Sequence, residues 1–517
     1  MAGSMGVYVP AVVFQRAIAL GRVFLFIHLL SKAQYGLWGL GAMVFTLGAS
    51  VMTLGSHMGV ARYVSFYEAR GLLNDFYRRV RWGVLAIAIL MTVLAFAASS
   101  PLTDLLIVSR APDSQILRHD QLAICWAALA NAMLMALYYN MQSFMVGMRV
   151  YRLTSAVEIC YTVIFTIAGA VSLWIAPAAL TVLLVHAASI LAALLIGSTL
   201  LHLGLKQTRD SAARQVPAGG EEKVSVLEAA GEAPEITGVL PLQPAAETKL
   251  DGTHGAFQRV LRFGSVALVG SLMWLAAEYV SFRMTSRRLG QEQAGGFYAF
   301  FQLAQLVLYL ANAAWAVVFT HVARRWEAND RDRAMFTLQT AYKAIAMVVM
   351  TLTILIHASS GIWIHLLPQT YRESLPLLGG LLMLFQVMSH LALLTILANL
   401  HRRPIFIALA ALAGAAANAA LAYWWLPIYG PVGAAWAAGI GMYVGAGAVT
   451  AGYLLASRVK LQASTAFVFG SPALLLLLLL PVWWTAGAVW AGVLIAAIAT
   501  TWLFTDRQKR ILVSILR

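Results

Sequence analysis

Long apolar stretches separated by short polar segments run along most of this chain. Each stretch is about 20 residues long, which is the length an α-helix needs to cross the hydrocarbon core of a membrane. None shows the alternating pattern of a membrane barrel, so the backbone hydrogen bonds must be satisfied within helices. The pattern predicts an all-α integral membrane protein with about fourteen spans: 8–29, 37–58, 82–103, 121–145, 154–174, 179–203, 261–282, 296–320, 337–360, 374–399, 405–426, 431–456, 464–484 and 486–504.

The composition agrees with this pattern. The 517 residues are 61% hydrophobic and 11% charged, whereas soluble domains are about 45–50% apolar and about 25% charged. A soluble enzyme and a nucleic-acid-binding domain are therefore excluded. The net charge of +15 follows from the excess of basic residues in cytoplasmic loops, since most Lys and Arg residues fall there when both termini are cytoplasmic. We expect a multi-pass protein of the inner (cytoplasmic) membrane with that orientation.

One polar segment, residues 206–256, differs from all the others. It contains no aromatic residue and includes Pro-, Gly- and Glu-rich runs such as 216–223. Such a segment cannot bury enough apolar surface to fold, which predicts a disordered cytoplasmic linker. The expected domains are an N-terminal lobe (1–205, helices 1–6), the linker (206–256), a C-terminal lobe (257–460, helices 7–12), and two additional spans with a basic tail (461–517).

Two arginines lie within the first predicted span. Arg16 and Arg22 are six residues apart, which corresponds to about 9 Å along a helix and about 120° around it. Guanidinium groups fixed at membrane depth suit a phosphate or diphosphate, because they remain charged and form bidentate hydrogen bonds. Alternatively, Arg16 extends to the membrane interface and Arg22 hydrogen-bonds a neighbouring helix.

Three spans carry polar side chains at helical spacing. These side chains either line a hydrated cavity that binds sugar hydroxyls or form the interhelical hydrogen bonds that are common in membrane bundles. We place Thr53, His57, Gln302, Gln305 and Asn312 among the cavity candidates. The complete sets are Thr46, Ser50, Thr53 and His57; Asn131, Tyr138 and Gln142; and Tyr298, Gln302, Gln305, Tyr309 and Asn312.

Two acidic residues lie within or at the start of spans. Glu278 is a candidate for ion coupling, because ionisable residues inside a membrane are costly and are functional candidates. The alternative is a structural pairing with Arg283. Ser155-x-x-Glu158 is typical of a helix capping box.

The chain shows no enzyme motif: a P-loop, H-E-x-x-H and a nucleophile elbow are all lacking from the sequence. We therefore predict a protein that is not an enzyme and that has no cofactor and no metal site. The two cysteines, Cys125 and Cys160, are interpreted as packing residues.

Short motifs at the predicted helix ends resemble those of bacterial polysaccharide (O-antigen type) flippases. A leucine-serine and a tyrosine-glycine pair precede the second helix of that family, and a glycine-x-x-arginine-tyrosine follows it. The matching residues are Leu30-Ser31, Gln34-Tyr35-Gly36, Gly59-Val60-Ala61-Arg62-Tyr63, Leu289-Gly290, Gly296-Phe297-Tyr298 and 427–437 (PIYGPVGAAWA).

The resemblance implies the MATE-like fold of the MOP superfamily, in which two lobes face each other around a cavity lined by helices 1, 2, 7 and 8. The related lipid II flippases also carry paired arginines in the first helix, which supports Arg16 and Arg22 as cavity cations. The implied function is translocation of lipid-diphosphate-linked oligosaccharide for exopolysaccharide, capsule or O-antigen biosynthesis, by ion-coupled alternating access.

The expected partners are the lipid-linked oligosaccharide, membrane lipids, a proton or sodium ion, and polysaccharide polymerase or export machinery; no nucleic acid is expected. Two alternatives remain. A multidrug or organic-cation antiporter of the same fold would need acidic residues in the cavity. An integral-membrane polysaccharide polymerase or ligase would need a large outer loop carrying catalytic residues.

Overall fold

A computed structural model describes residues 2–68, 70, 72–108, 118–148, 150–214, 255–401, 403–480 and 484–510. These residues are almost entirely helical. The helices that precede the predicted linker form what we call the first lobe: α1 (Ala2–Leu29), α2 (Lys32–Thr53), α3 (Ser56–Glu68), α4 (Leu73–Ala97), α5 (Ser99–Leu106), α6 (Arg118–Gly147), α7 (Tyr151–Ile175) and α8 (Ala179–Arg214).

The helices after the linker form the second lobe, α9–α15, followed by two peripheral helices. Short 3-10 segments, Ile364–Leu366 and Ser471–Leu479, follow α11 and α16. The bounds are α9 (Ala256–Glu327), α10 (Arg331–Ala358), α11 (Ser360–Trp363), α12 (Gln369–Arg372), α13 (Leu377–His390), α14 (Ala392–Leu400), α15 (Ile405–Ala456), α16 (Ala463–Gly470) and α17 (Trp484–Ala499).

Nine helices in the described part of the chain are long and apolar enough to cross a membrane. Two of them, α9 and α15, each cover two predicted spans. Gly290 (φ 90°) interrupts α9 and Gly430 (φ 60°) interrupts α15, and glycine adopts these positive φ angles without the steric cost of a Cβ atom. The all-helical membrane fold is confirmed, whereas the count of fourteen spans stays a prediction. The last two predicted spans coincide with the shorter apolar helices Ala463–Leu479 and Trp484–Ala499.

The predicted linker is only partly within the described residues. Helix α8 continues to Arg214, so the first residues of segment 206–256 extend the sixth predicted span as a helix. Residues 215–254 lie outside the described residues, and the linker therefore remains a prediction.

Helix α2 of the first lobe packs along α9 of the second lobe, on both sides of the Gly290 kink. At the Gly290 kink, which we call the apex, a Cβ atom on Gly36 or Gly295 would collide with the α9 backbone at Gln291 or the α2 backbone at Lys32. Only glycine permits this close approach. The side chain of Ser31 caps α2 by accepting a hydrogen bond from the Gln34 N–H at 3.3 Å. The family-like motifs thus form helix ends, kinks and lobe contacts.

Candidate functional site

A cavity of about 930 Å³ lies between the two lobes, on the side away from the apex. Its walls come from α2, α3, α6, α9, α13, α14 and the start of α15. Hydroxyl, amide and aromatic side chains are interspersed with apolar ones, and none of the described lining residues is charged. The polar and aromatic lining residues are Thr46, Ser50, Tyr139, Ser265, Ser271, Trp274, Asn312, Trp315, Phe319, Thr395 and Asn399.

The structure divides the predicted cavity residues of α2, α3 and α9 into two groups. Asn312 lines the cavity, as do Thr46 and Ser50 from the same polar sets. Thr53 does not: its hydroxyl donates to the Ser50 carbonyl at 2.9 Å and accepts from the Gly55 N–H at 3.2 Å. Thr53 is thus fully engaged at the C-terminal end of α2, and the local geometry favours a structural role.

His57 lies at the edge of the cavity. Its ring centroid is 6.0 Å from that of the lining residue Tyr139. The Nδ1 atom of His57 is buried and has no hydrogen-bond partner within the described residues. The indole N–H of the lining residue Trp315 is likewise buried and has no hydrogen-bond partner within the described residues. Both groups retain hydrogen-bonding capacity, which buried polar atoms in proteins normally use.

Gln302 and Gln305 do not appear in the described lining of the cavity. Gln302 accepts a hydrogen bond from the Tyr35 hydroxyl at 3.2 Å, which joins α2 to α9 near the apex. Also at the apex, the Lys32 ammonium donates to the Thr370 carbonyl at 2.9 Å. Gln305 is partly buried, one turn further along α9. Gln302 therefore belongs to the contact that holds the lobes together at this end.

Arg16 bridges the two lobes. Its guanidinium carbon lies 3.9 Å from the ring centroid of Tyr309 in the second half of α9. The group also interacts electrostatically with Glu158 of α7. Its Nε atom is buried and has no hydrogen-bond partner in the described part of the chain. Tyr309 follows Leu308 and precedes Asn312, both of which line the cavity, so Arg16 lies beside the cavity wall.

Arg22 faces a different neighbour. Its guanidinium carbon lies 4.5 Å from the ring centroid of Phe165 on α7, and its Nη1 atom is buried with no partner among the described residues. Arg22 also interacts electrostatically with Tyr309. The two arginines thus diverge around α1, as their spacing predicts, and Tyr309 is near both.

Glu278 is buried, with 6% of its surface exposed. It interacts electrostatically with Tyr309, whose ring also contacts Arg16. None of the four ion pairs between described residues includes Glu278. Arg283 donates to the carbonyls of Leu105 (2.9 Å) and Val108 (3.0 Å) at the end of α5. The pairing of Arg283 with Glu278 was therefore wrong, because backbone carbonyls compete for the guanidinium.

The capping-box interpretation of Ser155 and Glu158 was also wrong. Helix α7 begins at Tyr151 after Val150, so both residues lie inside the helix. Glu158 accepts a hydrogen bond from the Gln142 amide at 2.8 Å and lies near Arg16. Sequence reasoning missed this acidic partner of the candidate cation, although an acid inside a span was itself a signal.

The polar set on α6 forms bonds between helices of the first lobe. Asn131 Oδ1 lies 2.7 Å from His186 Nδ1, and the Tyr161 hydroxyl lies 2.7 Å from His186 Nε2. Gln142 donates to the Tyr138 hydroxyl within α6 at 2.9 Å and to Glu158 of α7 at 2.8 Å. For this set, interhelical hydrogen bonding is the arrangement found.

A buried cation in the second lobe was not singled out from the sequence. The Lys343 ammonium of α10 lies within hydrogen-bonding distance of four oxygen atoms: Gln462 Oε1 (2.9 Å), Ser464 Oγ (3.2 Å), the Leu503 carbonyl (2.6 Å) and Gln508 Oε1 (3.0 Å). Its position inside a predicted span was the available signal. No group of three or more His, Cys, Asp or Glu residues in the described chain is placed to hold a metal ion.

Solved structures similar to this one are membrane transporters. The lipid II flippase MurJ in an inward closed conformation superposes with a TM-score of 0.63 at 12% identity, covering 95% of this chain and 99% of that chain. An inward-facing multidrug resistance MATE family transporter of the MOP superfamily gives 0.60 at 11% identity, covering 86% and 96%. A MOP superfamily transporter from Pyrococcus furiosus gives 0.57 at 12% identity, covering 90% and 96%.

No protein-family model matches the sequence, and no curated protein matches it either. The structural likeness nevertheless extends over nearly the whole length of each chain compared, including both lobes. At these low identities, it is the arrangement of the helices that is shared. The chain is thus a multi-pass membrane protein with the MATE-like fold of the MOP superfamily.

Proposed function

We propose that this protein is a flippase that moves a lipid-diphosphate-linked oligosaccharide from the cytoplasmic to the outer leaflet of the inner membrane. The observation that carries the proposal is the combination of an uncharged cavity, in which hydroxyl and amide groups stand among apolar side chains, with two arginines of α1 that retain unpaired buried nitrogens within the described structure. Hydroxyl and amide groups suit sugar hydroxyls. Guanidinium groups suit a diphosphate, which needs fixed counter-charge when it leaves water.

The size of the cavity is compatible with this substrate class. About 930 Å³ lies at the upper end of the range of about 300–1,000 Å³ for small-molecule sites. Aromatic lining residues such as Trp274 and Trp315 offer flat surfaces to the apolar faces of sugar rings, while Asn312 offers both a donor and an acceptor. The lipid tail would remain in the membrane between the lobes.

Alternating access requires the apex contacts to break. In the described conformation the apex is closed by the bonds from Lys32 to Thr370 and from Tyr35 to Gln302, and the cavity lies on the opposite side. Opening toward the outer leaflet would separate these pairs by rocking of the lobes. Glu278, buried between the apex and the cavity wall, is our candidate for coupling this motion to a proton or sodium gradient.

A multidrug or organic-cation antiporter is the main competing function, since one of the similar structures is a multidrug resistance transporter. A cation would need an acidic group in the cavity. Glu278 is outside the described lining, and Glu158 is near Arg16. The two arginines would therefore repel a positively charged substrate. A polymerase or ligase is less well supported, because the similar solved structures are described as transporters.

The test is reconstitution of the purified protein in proteoliposomes. We expect an ion gradient to drive translocation of a lipid-diphosphate-linked glycan, detected as its appearance in the opposite leaflet, and no uptake of a fluorescent organic cation. The Arg16→Ala/Arg22→Ala variant should lose glycan translocation. Gradient-driven cation transport that is insensitive to this double substitution would contradict the flippase and favour the antiporter. In cells, such a flippase would supply polysaccharide polymerase or export machinery on the outer side.

A further inference from the structure

A second cavity, of about 740 Å³, lies at the end of the second lobe away from the apex. It is formed where α9 and α14 end, where α10 begins and where α15 ends. This is the side that the charge pattern predicts to be cytoplasmic. The eight described lining residues are Trp326, Asn329, Arg331, Leu400, His401, Arg403, Ala456 and Ser457.

The lining combines two arginines and a histidine with no acidic residue. Arg331 and Arg403 both interact electrostatically with His401, so three basic groups face one space. The nearby carboxylate of Asp330 is directed elsewhere: it forms an ion pair with Arg333 at 3.5 Å and accepts from the Arg333 N–H. The pocket therefore carries positive charge without a counter-ion from its own described lining.

Two of the basic groups, Arg331 and His401, contact aromatic side chains. The Arg331 guanidinium carbon lies 5.4 Å from the Trp326 ring centroid, and the Trp326 and His401 rings are 5.2 Å apart. His401 Nδ1 lies 2.6 Å from the Tyr453 hydroxyl, which leaves Nε2 as the ring nitrogen for a ligand. Burial and the neighbouring Arg403 and Arg331 lower the pKa of His401, because both guanidinium groups oppose its protonation.

An exposed apolar side chain lies next to the pocket at the end of α15: Leu455 precedes the lining residue Ala456 and is 79% exposed. A ligand with its charged part among the arginines would thus have an apolar surface of α15 close by. Clusters of basic residues at the cytoplasmic ends of transmembrane helices are well suited to anionic lipid head groups.

We propose that this pocket binds the phosphate group of an anionic phospholipid of the surrounding membrane, with Arg331 and Arg403 as the charge-bearing ligands. The Asn329 amide and the Ser457 hydroxyl are additional hydrogen-bonding groups in the lining. The site is separate from the inter-lobe cavity, since the two cavities share no described lining residue. Binding here does not depend on the proposed transport activity.

The experiment measures binding of water-soluble short-chain lipids to the purified full-length protein by calorimetry. Dioctanoyl phosphatidylglycerol is compared with dioctanoyl phosphatidylcholine and with inorganic phosphate. We expect the anionic lipid to bind at least about tenfold more tightly than the other two probes. The Arg331→Ala/Arg403→Ala variant should bind it about thirtyfold more weakly, as expected for the loss of two cationic contacts.

Two variants keep this test decisive. Lys460→Ala removes an exposed basic residue that follows α15 and does not line the pocket, and this variant should bind the anionic lipid within about twofold of the unmodified protein. Arg331→Lys/Arg403→Lys retains the charge and should keep part of the affinity, even if the alanine variant is unstable. Equal binding of phosphatidylglycerol by the unmodified protein and both double variants would overturn the proposal. Binding of inorganic phosphate as tight as that of the lipid would overturn its lipid part and identify a soluble phosphate as the ligand.

Discussion

Both lobes contain cationic side chains with buried nitrogen atoms, but the protein satisfies them differently. In the first lobe, Arg16 and Arg22 lie against aromatic rings and each keeps a buried nitrogen with no hydrogen-bond partner in the described structure. In the second lobe, Lys343 has its ammonium group within 3.2 Å of four oxygen atoms. Since an ammonium has three N–H donors, this lysine is fully engaged by the protein itself.

The difference indicates two distinct roles for a cationic side chain whose burial is energetically unfavourable. Lys343 connects α10 to the residues around α16 and to the C-terminal segment at Leu503 and Gln508, which is a structural task. Arg16 and Arg22 are engaged less completely by the described residues, and Arg16 lies against Tyr309, which neighbours the cavity-lining residues Leu308 and Asn312 in α9. Because burying an unsatisfied polar group is unfavourable, retained capacity next to a cavity indicates a group that another molecule satisfies.

The largest expected effect is that of Arg22→Ala on transport. Losing one charged partner of a desolvated diphosphate costs about 2–5 kcal/mol, so we expect the rate to fall about a hundredfold or more. Arg22→Lys should retain only part of the transport rate, because lysine keeps the positive charge but lacks the planar guanidinium group that forms two parallel hydrogen bonds. Arg16→Ala should have a smaller effect, since Glu158 already offsets its charge.

The measurement is glycan translocation in proteoliposomes, normalised to folded protein. Full activity of Arg22→Ala at normal abundance would show that α1 does not hold the head group. A variant absent from the membrane would make Arg22 resemble Lys343, and the contrast between the lobes would disappear.

Lys343→Met should have the opposite effect to Arg22→Ala, because it should affect stability rather than transport. The substitution leaves several buried acceptors without their donor, which we expect to lower the free energy of unfolding by about 3 kcal/mol. Transport per folded molecule should stay near that of the unmodified protein. Thermal unfolding in detergent measures the first effect and the proteoliposome assay the second. Normal stability combined with lost transport would assign Lys343 a functional role.

Glu278→Gln tests whether Glu278, like Arg16 and Arg22, has a role in transport rather than in stability. The glutamine retains size and hydrogen bonding but cannot ionise. We expect substrate affinity to stay within about twofold and gradient-driven transport to fall about tenfold, as for an intramembrane coupling residue. Transport at the unmodified rate under a normal gradient would remove Glu278 from the mechanism.

The smallest effect is expected at Thr53. Its hydroxyl is satisfied by the backbone at Ser50 and Gly55, so Thr53→Ala should cost about 1 kcal/mol of stability or less and leave transport unchanged. Asn312→Ala, which alters a residue of the cavity wall, is the matched comparison and should weaken glycan binding in a titration. Equal effects of Thr53→Ala and Asn312→Ala on glycan binding would contradict the structural role of Thr53 and the place of Asn312 in the cavity wall.

The predicted spans and the described helices correspond closely, because a helix that crosses a membrane must be apolar over most of its length. Hydropathy predicted the two halves of α9 and of α15 as separate spans, and the structure joins each pair of halves through a kink at Gly290 or Gly430, two glycines that belong to the family-like motifs. The capping box at Ser155 was misplaced, since the same residue pair can occur inside a helix. The role of Lys343 was also missed, because its partners are 119 to 165 positions away in the chain.

The sequence by itself determined the membrane class, the helical architecture and the identity of the rare ionisable residues, all of which follow from the energetic cost of polar groups in hydrocarbon. Only the tertiary structure decided which of these residues are satisfied internally. Helical spacing specifies the direction of a side chain around its own helix, but it contains no information on the helix packed against that face. Thr53 and Asn312 share a polar-stripe pattern in the sequence; packing places one in a backbone cap and the other in a cavity wall.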